Sequence, residues 1–429
     1  MALRARQEIG SFDLEDLELA VRDAVHRCGV IVLGYLLSHE DGGSTSQKPC
    51  ECGGEFKNKK RTAKTLRTLL GPVRLQRIVQ RCPQCKAWRV PVDESLGVVK
   101  TTFTPGLRRA MATCGALICF KKGRELIKDL AGIELTSKDV ERVAEAIGAQ
   151  VASSEDEQIL SVMNGQNLPS QEDPSMLYIA IDGTGVPVLR KETQGRKGKA
   201  EDGIARTREA KLAAVFTQTT VDQEGNPVRD AGSTSYVGRI ETSESFGPRV
   251  YTESLRRGLL NARHVNVLGD GAPWIWNLAD EHFPGATQIV DFYHADEHLE
   301  ALAKTLFPHD ENSRKTWAAQ NRKRLWNGKV SSILSAIRSS KAYPNNKDLQ
   351  QATDYFEKNQ QRMNYGAFRH QGLFIGSGVV EAGCKSIIGQ RLKQSGMHWS
   401  VSGANAILAL RCALESRRTD PTGTPPPSP

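Results

Sequence analysis

Three acidic residues lie where a carboxylate would be exposed beside a glycine or at a helix start. Asp182 follows the apolar run LYIAI and Asp270 follows VNVLG, so each is predicted to end a β-strand. Glu381 lies in GSGVVEAGCK at a predicted helix start, where Ser377 can cap free N–H groups. Ligands of open α/β sheets gather outside the carboxyl ends of the strands. Carboxylates brought together there could hold two Mg²⁺ or Mn²⁺ ions, about 3.5 to 4 Å apart, for phosphodiester chemistry.

An aspartate beside a glycine is, taken alone, more typical of a turn. The metal-site prediction therefore depends on the two aspartates and the glutamate occurring together.

Four of the nine cysteines have the spacing of metal ligands. Cys50-x-Cys52 and Cys82-x-x-Cys85 predict a tetrahedral site for one structural Zn²⁺, although the first pair is one residue tighter than usual. The alternative is a set of fortuitously buried thiols. No secretory signal is visible at the start, so we expect the cytoplasm and no disulfides. The remaining cysteines are interpreted as core residues: Cys28, Cys114, Cys119, Cys384 and Cys412.

Positive charge is concentrated around these cysteines. The chain has 58 Lys and Arg against 49 Asp and Glu, a net charge of +9, which favours a polyanionic partner. Residues 56–90 hold eleven Lys or Arg and no acidic residue. The alternative is a solvated face, but unneutralised cations here predict contacts with DNA phosphates. The predicted DNA-binding residues of this segment are Lys59, Lys60, Arg61, Lys64, Arg67, Arg74 and Arg77.

The first part of the chain reads as a helix, a hairpin and a helical unit. Helical spacing predicts a helix over 12–37 that packs on a neighbour, followed by a linker over 39–47. A β-hairpin is predicted around the Leu70-Gly71-Pro72 break. Three short helices over 104–153 would form a helix-turn-helix-like unit. Packing of the three helices without DNA contact is an equally good interpretation of that unit.

From Met176 the hydrophobic period becomes that of β-strands, which indicates a mixed α/β sheet. Residues 191–209 are interpreted as a mobile loop, and 295–365 as an all-helical insert. No apolar run reaches the roughly 18 residues that a membrane span needs, so we expect a soluble protein without a membrane partner. The predicted strands cover 177–181, 212–221, 233–242, 265–270 and 287–293, and further helices lie near 272–283, 378–395 and 402–417.

Four runs in this order resemble a known family: IDGTGVPV, GDGAPWIW, VDFYHADEHL and GSGVVEAGCKSIIGQRLKQSGMHW. They are similar to bacterial insertion-sequence transposases of the ISKra group, relatives of the Mutator-like DDE enzymes. The resemblance covers most of the chain, including the cysteine segment and the run TPGLRR.

The resemblance implies an RNase H-like fold with a helical insertion before the catalytic glutamate. It carries the catalytic and Mg²⁺-binding roles to Asp182, Asp270 and Glu381, and it matches Asp291 and His294 to an Asp-x-x-His motif near the site. A structural hydrogen bond that orients the site is the favoured role of the last pair. Arg391 and Lys393, which follow the glutamate, would hold the cleaved DNA strand.

With that resemblance the chain divides into seven predicted parts. They are an N-terminal helical segment (1–47), a Cys₄ zinc ribbon (48–92), a helical DNA-binding domain (100–155), an RNase H-like catalytic domain in two parts (174–299 and 371–418), a helical insertion (300–370) and a disordered tail (419–429).

The implied activity is hydrolysis at the terminal inverted repeats of an insertion sequence, followed by attack of the 3′-OH on target DNA. The implied partner is double-stranded DNA, and pairing two DNA ends predicts at least a dimer on DNA, associated with the nucleoid. Two other classes stay open: an RNase H-like nuclease or resolvase that does not join strands, and a zinc-dependent DNA-binding regulator without catalysis.

Overall fold

The computed structural model describes residues 13–39, 49–168, 170, 173–198, 202–340 and 343–417. The chain forms two compact units, with the boundary between Ile147 and Gly148. Most of the predicted linker (39–47) lies outside the described residues, and so does the whole of the predicted tail (419–429).

The first unit contains a long helix, a three-stranded sheet and shorter helices. The helix predicted near the N-terminus and the hairpin are both confirmed, and the two hairpin strands are longer than predicted. The elements are α1 (Leu14–His39), β1 (Lys57–Thr68), β2 (Gly71–Arg81), β3 (Trp88–Arg89), α2 (Pro91–Ser95), α3 (Pro105–Leu117), α4 (Phe120–Ala131) and α5 (Ser137–Met163), the last of which continues into the second unit.

Strand alternation divides the hairpin into a buried and an exposed face, because successive side chains point to opposite sides of a sheet. Leu66, Val73 and Leu75 are buried on one face, where Leu37 of α1 packs beside Val98. The residues of the other face are largely exposed. The hairpin thus has one face for the core and one for solvent.

Helix α1 packs on this hairpin with a different face from the one that the sequence suggests. Gly29 and Leu37 lie on the packed side, and a Cβ at Gly29 would meet Leu70 at 2.9 Å. In contrast, Val21, Val25 and Ile31, which were predicted to pack, are exposed. Cys28 is exposed as well, so its interpretation as a core residue is wrong. The helix carries apolar residues on two sides, and only one side meets the hairpin.

The three helices predicted over 104–153 are present as α3, α4 and α5, but α5 is not the short helix that was predicted, because it has 27 residues and continues to Met163. Helix α4 ends at Gly132 in the left-handed conformation, φ +66°, which suits glycine. Thr136 and Asp139 form a reciprocal capping box: each backbone N–H donates to the other side chain at 3.0 Å. These two signals end one helix and begin the next as the sequence predicts.

The second unit is built on a five-stranded mixed sheet, which confirms the α/β class. The strands are β4 (Met176–Pro187), β5 (Thr207–Gln218), β8 (Ser235–Arg239), β9 (His264–Gly269) and β10 (Thr287–Val290), with a small hairpin of β6 (Thr220–Val221) and β7 (Pro227–Val228). The order across the sheet is β10-β9-β4-β5-β8. β9 and β10 run parallel to the central β4, whereas β5 runs antiparallel to both of its neighbours.

The rest of the second unit is largely helical, and several of its helices form the insert predicted over 295–365. The segment 295–365 is helical as predicted, and so are the two helical regions after it. A helix between β8 and β9 was not predicted. The helices are α6 (Ser243–Arg256), α7 (Pro273–His282), α8 (Phe292–Leu306), α9 (Glu311–Trp326), α10 (Val330–Arg338), α11 (Lys347–Lys358), α12 (Tyr365–His370), α13 (Gly378–Gly383), α14 (Gln390–Leu392) and α15 (Val401–Glu415).

The segment 191–209 is more regular than the predicted mobile loop. It begins in a 3₁₀ turn over Arg190–Thr193, and its last residues already belong to β5. Lys197 and Ile204 are bridged across the segment. The antiparallel pairing of β4 with β5 continues to Pro187 and Thr207, which leaves less chain for a loop. Among the described helices, none is both long and apolar enough to cross a lipid bilayer.

A buried arginine ties α5 and α6 to the sheet in the second unit. Arg249 is 5% exposed, and its guanidinium contacts Glu241 at 2.9 Å, Asp156 at 2.9 Å and Glu155 at 3.4 Å. Arg239 of β8 shares Asp156 at 2.7 Å. The carboxylates raise the pKa of Arg249 against the opposing effect of burial, so the cation persists at all relevant pH values.

We expect Arg249→Ala to destabilise the second unit because it removes the buried cation that contacts Glu155, Asp156 and Glu241. Loss of one member of such a pair costs about 3–5 kcal/mol, or a fall of roughly 5–15 °C in the melting temperature. Differential scanning fluorimetry measures this. Arg206→Ala is the control, since its pair with Asp202 is exposed. Equal melting temperatures of the two variants would contradict the assignment.

Candidate functional site

Asp182 lies within β4, which continues to Pro187 in its pairing with β5, so the prediction that this residue ends the strand is wrong. Its position is just beyond the stretch where β4 pairs with β9, which ends at Ala180. Its carboxylate is half-buried and accepts hydrogen bonds from the Gly183 N–H at 2.6 Å and from the Cys384 thiol. Burial raises the pKa of this carboxyl and the charge of Asp270 raises it further, whereas the two hydrogen bonds lower it. The negative charge of Asp182 is thus in an unfavourable position that a nearby cation would relieve.

Asp270 follows β9, the strand adjacent to β4. Its carboxylate accepts the Ala272 N–H at 2.8 Å, and its carbonyl accepts the Tyr355 hydroxyl from the helical insert at 3.1 Å. Gly271 has φ +100°, and a Cβ there would lie 2.6 Å from the Tyr355 ring. This turn therefore requires glycine for both its backbone conformation and its contact with the insert.

Asp291 links three elements at the end of the sheet. It follows β10, is 1% exposed, and its N–H donates to the Gly269 carbonyl at 2.8 Å, beside Asp270. One carboxylate oxygen caps α8 by accepting the His294 N–H at 2.7 Å, and the other accepts the N–H of Ser377. The second contact attaches the start of α13 to the sheet.

Glu381 lies in the first turn of α13 and is half-buried. Its Oε1 accepts a hydrogen bond from the Ser377 hydroxyl at 3.0 Å, so Ser377 connects Glu381 to Asp291. Helix α13 packs closely on the sheet: a Cβ at Gly383 would meet Tyr236 at 2.8 Å and Leu212, the β5 neighbour of Asp182, at 2.9 Å.

The helix changes to a π-helical turn immediately after α13, over Cys384–Gly389. Such turns leave irregular backbone carbonyls and are frequent at functional sites. The buried Arg411 of α15 donates to the carbonyls of Ser386 at 2.7 Å and Ile387 at 2.6 Å. Burial raises the pKa of the Cys384 thiol, and the thiol stays protonated as a donor to Asp182.

The structure therefore connects the three predicted acids through short contacts. Asp182 reaches Cys384, three residues after Glu381, while Glu381 reaches Asp291 beside Asp270 through Ser377. Within the described residues, however, the three carboxylates do not form a close metal-ligand group of the kind that four of the cysteines form.

Two contacts of this region were not predicted. Cys384 falls in the quoted glutamate motif, and its position three residues after Glu381 on one helix could have indicated a shared face. Nothing in the sequence points to Tyr355, which reaches Asp270 from 85 residues away, or to the ring of His298 stacked on it at 4.1 Å.

His294, the second member of the Asp-x-x-His motif, is in the first turn of α8 and 39% exposed. Its ring packs against that of His298, with the ring centroids 4.9 Å apart. Lys393 donates to Thr184, two residues after Asp182. Arg391 is fully buried over the Trp399 ring at 4.9 Å, so it presents no surface to DNA in this structure.

The cations of the hairpin divide between its two faces. Lys64 and Arg77 lie on the buried face and both pair with Asp93, which is 4% exposed; the Lys64 distance is 2.8 Å. Arg67 pairs with Asp139 at 3.6 Å and packs over Phe103. These three predicted DNA-binding residues therefore have structural partners.

The other predicted cations of the hairpin face solvent. Arg61 and Arg74 are exposed, and the strand register places both on the face opposite the core. Lys59 and Lys60 are exposed near the start of β1. Among the described residues none of the four has an ion-pair partner, so these exposed side chains offer unneutralised charge.

Four sulfurs converge at the open end of the hairpin. The Sγ atoms of Cys50, Cys52, Cys82 and Cys85 all lie within 4.8 Å of one another. The Cys50–Cys85 distance is 3.3 Å and the Cys52–Cys82 distance is 3.6 Å. Sulfurs bound at about 2.3 Å to a tetrahedral Zn²⁺ lie roughly 3.8 Å apart, whereas a disulfide requires about 2.05 Å. The four cysteines can therefore hold a metal ion, as predicted.

Two glycines directly after the closely spaced Cys50 and Cys52 allow the chain to turn tightly next to the other cysteines. Gly53 has φ +81°, and a Cβ at Gly54 would lie 3.1 Å from the Cys82 sulfur. The pKa of Cys82 is lowered to about 7, chiefly by the N–H of Cys85, which supplies a thiolate near neutral pH.

No protein-family description matches the chain, and no curated protein matches it in sequence. Among solved structures it is similar to the Drosophila P element transposase strand transfer complex, with 11% sequence identity over 76% of this chain and 82% of that chain. The TM-score of 0.26 is too low to establish a shared fold.

We expect the purified chain to contain one zinc ion, and Cys82→Ser to lose it, because three thiolates cannot complete the tetrahedral site. Elemental analysis by mass spectrometry measures the content, and the absorption of the Co²⁺-substituted protein reports thiolate ligation. Cys28→Ser is the matched control because Cys28 is exposed and outside the group. Full zinc content in Cys82→Ser would rule out this site.

Proposed function

We propose that this protein is a DDE-type DNA transposase of an insertion sequence. It would bind terminal inverted repeats, hydrolyse the phosphodiester bond at each element end and join the 3′-OH to target DNA. The observation that carries the proposal is a set of contacts at one end of the central sheet. Cys384, three residues after Glu381, donates to Asp182, and Ser377 links Glu381 to Asp291, whose N–H donates to Gly269 beside Asp270.

The topology supports this proposal. The first strand of the sheet, β4, is central, and the second strand alone runs in the opposite direction. Asp182 and Asp270 are on adjacent strands, and a helical insert precedes the glutamate. A mixed sheet interrupted by such an insert agrees with the RNase H-like fold that the family resemblance implies.

The donor type suits Mg²⁺ or Mn²⁺, and binding would have to draw together three carboxylates that do not form one ligand group among the described residues. Carboxylate oxygens are hard ligands, and the raised pKa of Asp182, caused by burial and by the charge of Asp270, indicates a position where a cation would be stabilised. Asp182, Asp270 and Glu381 would hold two such ions, which supply Lewis-acid activation of the attacking oxygen and charge neutralisation at the leaving oxygen.

The other residues of the network position these ligands. Both carboxylate oxygens of Asp291 accept hydrogen bonds from backbone N–H groups, one from His294 of α8 and one from Ser377 at the start of α13. Asp291 would therefore hold these two helices together. Ser377 orients Glu381, and Cys384 orients Asp182 by donating to the carboxylate. Lys393 lies beside Thr184 on the same strand as Asp182, where its charge would contact a DNA phosphate.

The hairpin supplies the second DNA contact in this proposal. Lys59, Lys60, Arg61 and Arg74 are exposed, whereas Lys64, Arg67 and Arg77 are engaged in ion pairs within the first unit. A Zn²⁺ ion in the Cys₄ group would hold the two ends of the hairpin together and so stabilise the surface that carries these cations.

We expect Asp182→Asn to abolish cleavage and joining while DNA affinity is retained, because the amide cannot replace the charge of a metal ligand. The loss should exceed about 10³-fold, the scale of losing a principal electrostatic contribution. The assay incubates the full chain with Mg²⁺ and DNA that carries the element's ends, and it separates bound, nicked and joined products. Glu311→Gln, an exposed acid in the insert, is the control.

The same assay distinguishes the other two classes. Cleavage without joined products would favour an RNase H-like nuclease or resolvase, and binding without cleavage would favour a DNA-binding regulator. Strand transfer that persists in Asp182→Asn would overturn the metal assignment.

We expect Arg61→Ala with Arg74→Ala to weaken DNA binding and to make it less dependent on salt. Each phosphate contact contributes about 0.9 to the slope of log affinity against log salt, so the slope should fall by about 2. Fluorescence anisotropy over a salt series measures both quantities. Lys315→Ala, an exposed cation in the insert, is the control, and an unchanged slope in the double variant would exclude this face as the DNA contact.

A further inference from the structure

A cavity of about 540 Å³ opens in the second unit where the chain passes from β4 to β5. One side of it is the 3₁₀ turn Arg190–Thr193 with the residues that follow, and the other side is the returning chain at Gly203. Gly203 has φ +65°, and a Cβ at Gly198 would lie only 2.2 Å from the Ile204 carbonyl oxygen. The two sides are therefore packed closely, and glycine is required where they meet.

Positive charge is concentrated around this cavity. Arg190, Lys191 and Arg196 line it, all three are exposed, and none of them has an ion-pair partner among the described residues. Arg208 of β5 is half-buried, and its guanidinium donates to the Glu192 carbonyl of the turn at 3.3 Å. Burial lowers the pKa of Arg208 and the charge of Arg196 lowers it further, so these two cations repel each other. A cleft lined by charges of one sign attracts ions of the other sign, here anions.

The cavity lies further along the strand that carries Asp182. β4 continues beyond Asp182 in its pairing with β5, and Leu189, just before the cavity, donates its N–H to the Trp399 carbonyl at 2.8 Å. Asp182 and Leu189 are seven residues apart, which is roughly 23 Å at about 3.3 Å per extended residue. The exposed Lys393 contacts Thr184, so another cation lies along the strand between the candidate site and the cavity.

We propose that this cavity binds a backbone phosphate of the DNA duplex that is cut at the candidate site, about six or seven base pairs from the cut at about 3.4 Å for each pair. The inference rests on the proposed function and deepens it by naming a second contact with the same duplex. A guanidinium can hold a phosphate through two parallel hydrogen bonds, and an ammonium can hold it as a point charge. Because phosphates carry no sequence information, this contact would fix the register of the duplex and leave base recognition to other surfaces.

The double variant Lys191→Ala with Arg196→Ala tests the contact. Fluorescence anisotropy over a salt series measures its affinity for a duplex that carries the element's end. Two lost phosphate contacts should lower the slope of log affinity against log salt by about 2 and the affinity by roughly 30-fold at 0.15 M salt. The melting temperature should not fall, because both side chains are exposed and Arg196 repels Arg208.

Lys315→Ala with Arg338→Ala is the matched control. It removes the same net charge from two exposed cations of the helical insert, but these are already paired with Glu311 and Glu357. Its affinity and salt slope should stay close to those of the natural chain. An unchanged slope in the cavity variant, or an equal loss in the control, would overturn the proposed contact.

Neutral methylphosphonate linkages, placed one at a time along the duplex, locate the phosphate that is bound. The natural chain should lose affinity when the substituted linkage lies about five to eight base pairs from the cleaved bond of the element's end. The cavity variant should be insensitive to that same linkage, because its partner side chains are already absent. Sensitivity that persists in the variant, or that occurs only with linkages in target DNA, would overturn the assignment.

Failure of this inference is distinguishable from failure of the proposed function. Cleavage and joining by the natural chain, together with unchanged DNA binding by the cavity variant, would exclude this contact and leave the transposase proposal intact. Absence of Mg²⁺-dependent cleavage by the natural chain would instead overturn the proposed function, and with it the expected distance between the cavity and a cut.

Discussion

The close approach of α13 to the central sheet is the contact on which the candidate site depends. Glu381 is more than 100 residues from Asp270 and gains its place only because Gly383 lets the helix lie against Leu212 and Tyr236. A side chain at Gly383 would push α13 away from β5, and Cys384 would then lose Asp182. At the other end of α13, the carboxylate of Asp291 accepts a hydrogen bond from the N–H of Ser377 and so holds the helix start against the sheet.

These contacts also explain why the region can hold several acidic groups. Each carboxylate already accepts hydrogen bonds: Asp182 from Gly183 and Cys384, Asp270 from Ala272, and Glu381 from Ser377. The bonds hold the side chains in place, but they do not remove the charge that burial penalises at Asp182. The hydrogen bonds orient the carboxylates but leave their negative charge in place. In the proposed site, bound metal cations would supply the remaining stabilisation.

The first unit shows a similar separation of roles between the two faces of one element. On the hairpin, alternation places Lys64 and Arg77 against Asp93 and leaves Arg61 and Arg74 in solvent. On α1, the side that carries Leu37 packs on the hairpin, and Leu14, Val25 and Val32 are exposed. The hairpin and α1 therefore each pack on the first unit with one face and expose the other face to solvent.

The sequence alone determined the local features of this protein. Period and capping signals located the hairpin, the helices around Gly132 and the strands of the mixed sheet, because these depend on neighbouring residues. The four cysteines were recognisable from spacing, since two short knuckles on one hairpin must meet. Asp270 and Glu381 were recognisable as strand-end and helix-start residues, whereas Asp182 lies within β4, and spacing could not show which contacts would connect the three.

Only the tertiary structure decided which side chains are used internally. Arg391 and Arg61 look equivalent as cations in the sequence, yet one is buried over Trp399 and the other is exposed. The same holds for Cys28 and Cys384, and for the side of α1 that packs. The reason is physical: burial and pairing depend on which face meets a distant element, and Tyr355 and Asp270 or Ser377 and Asp291 are adjacent only after long loops have closed.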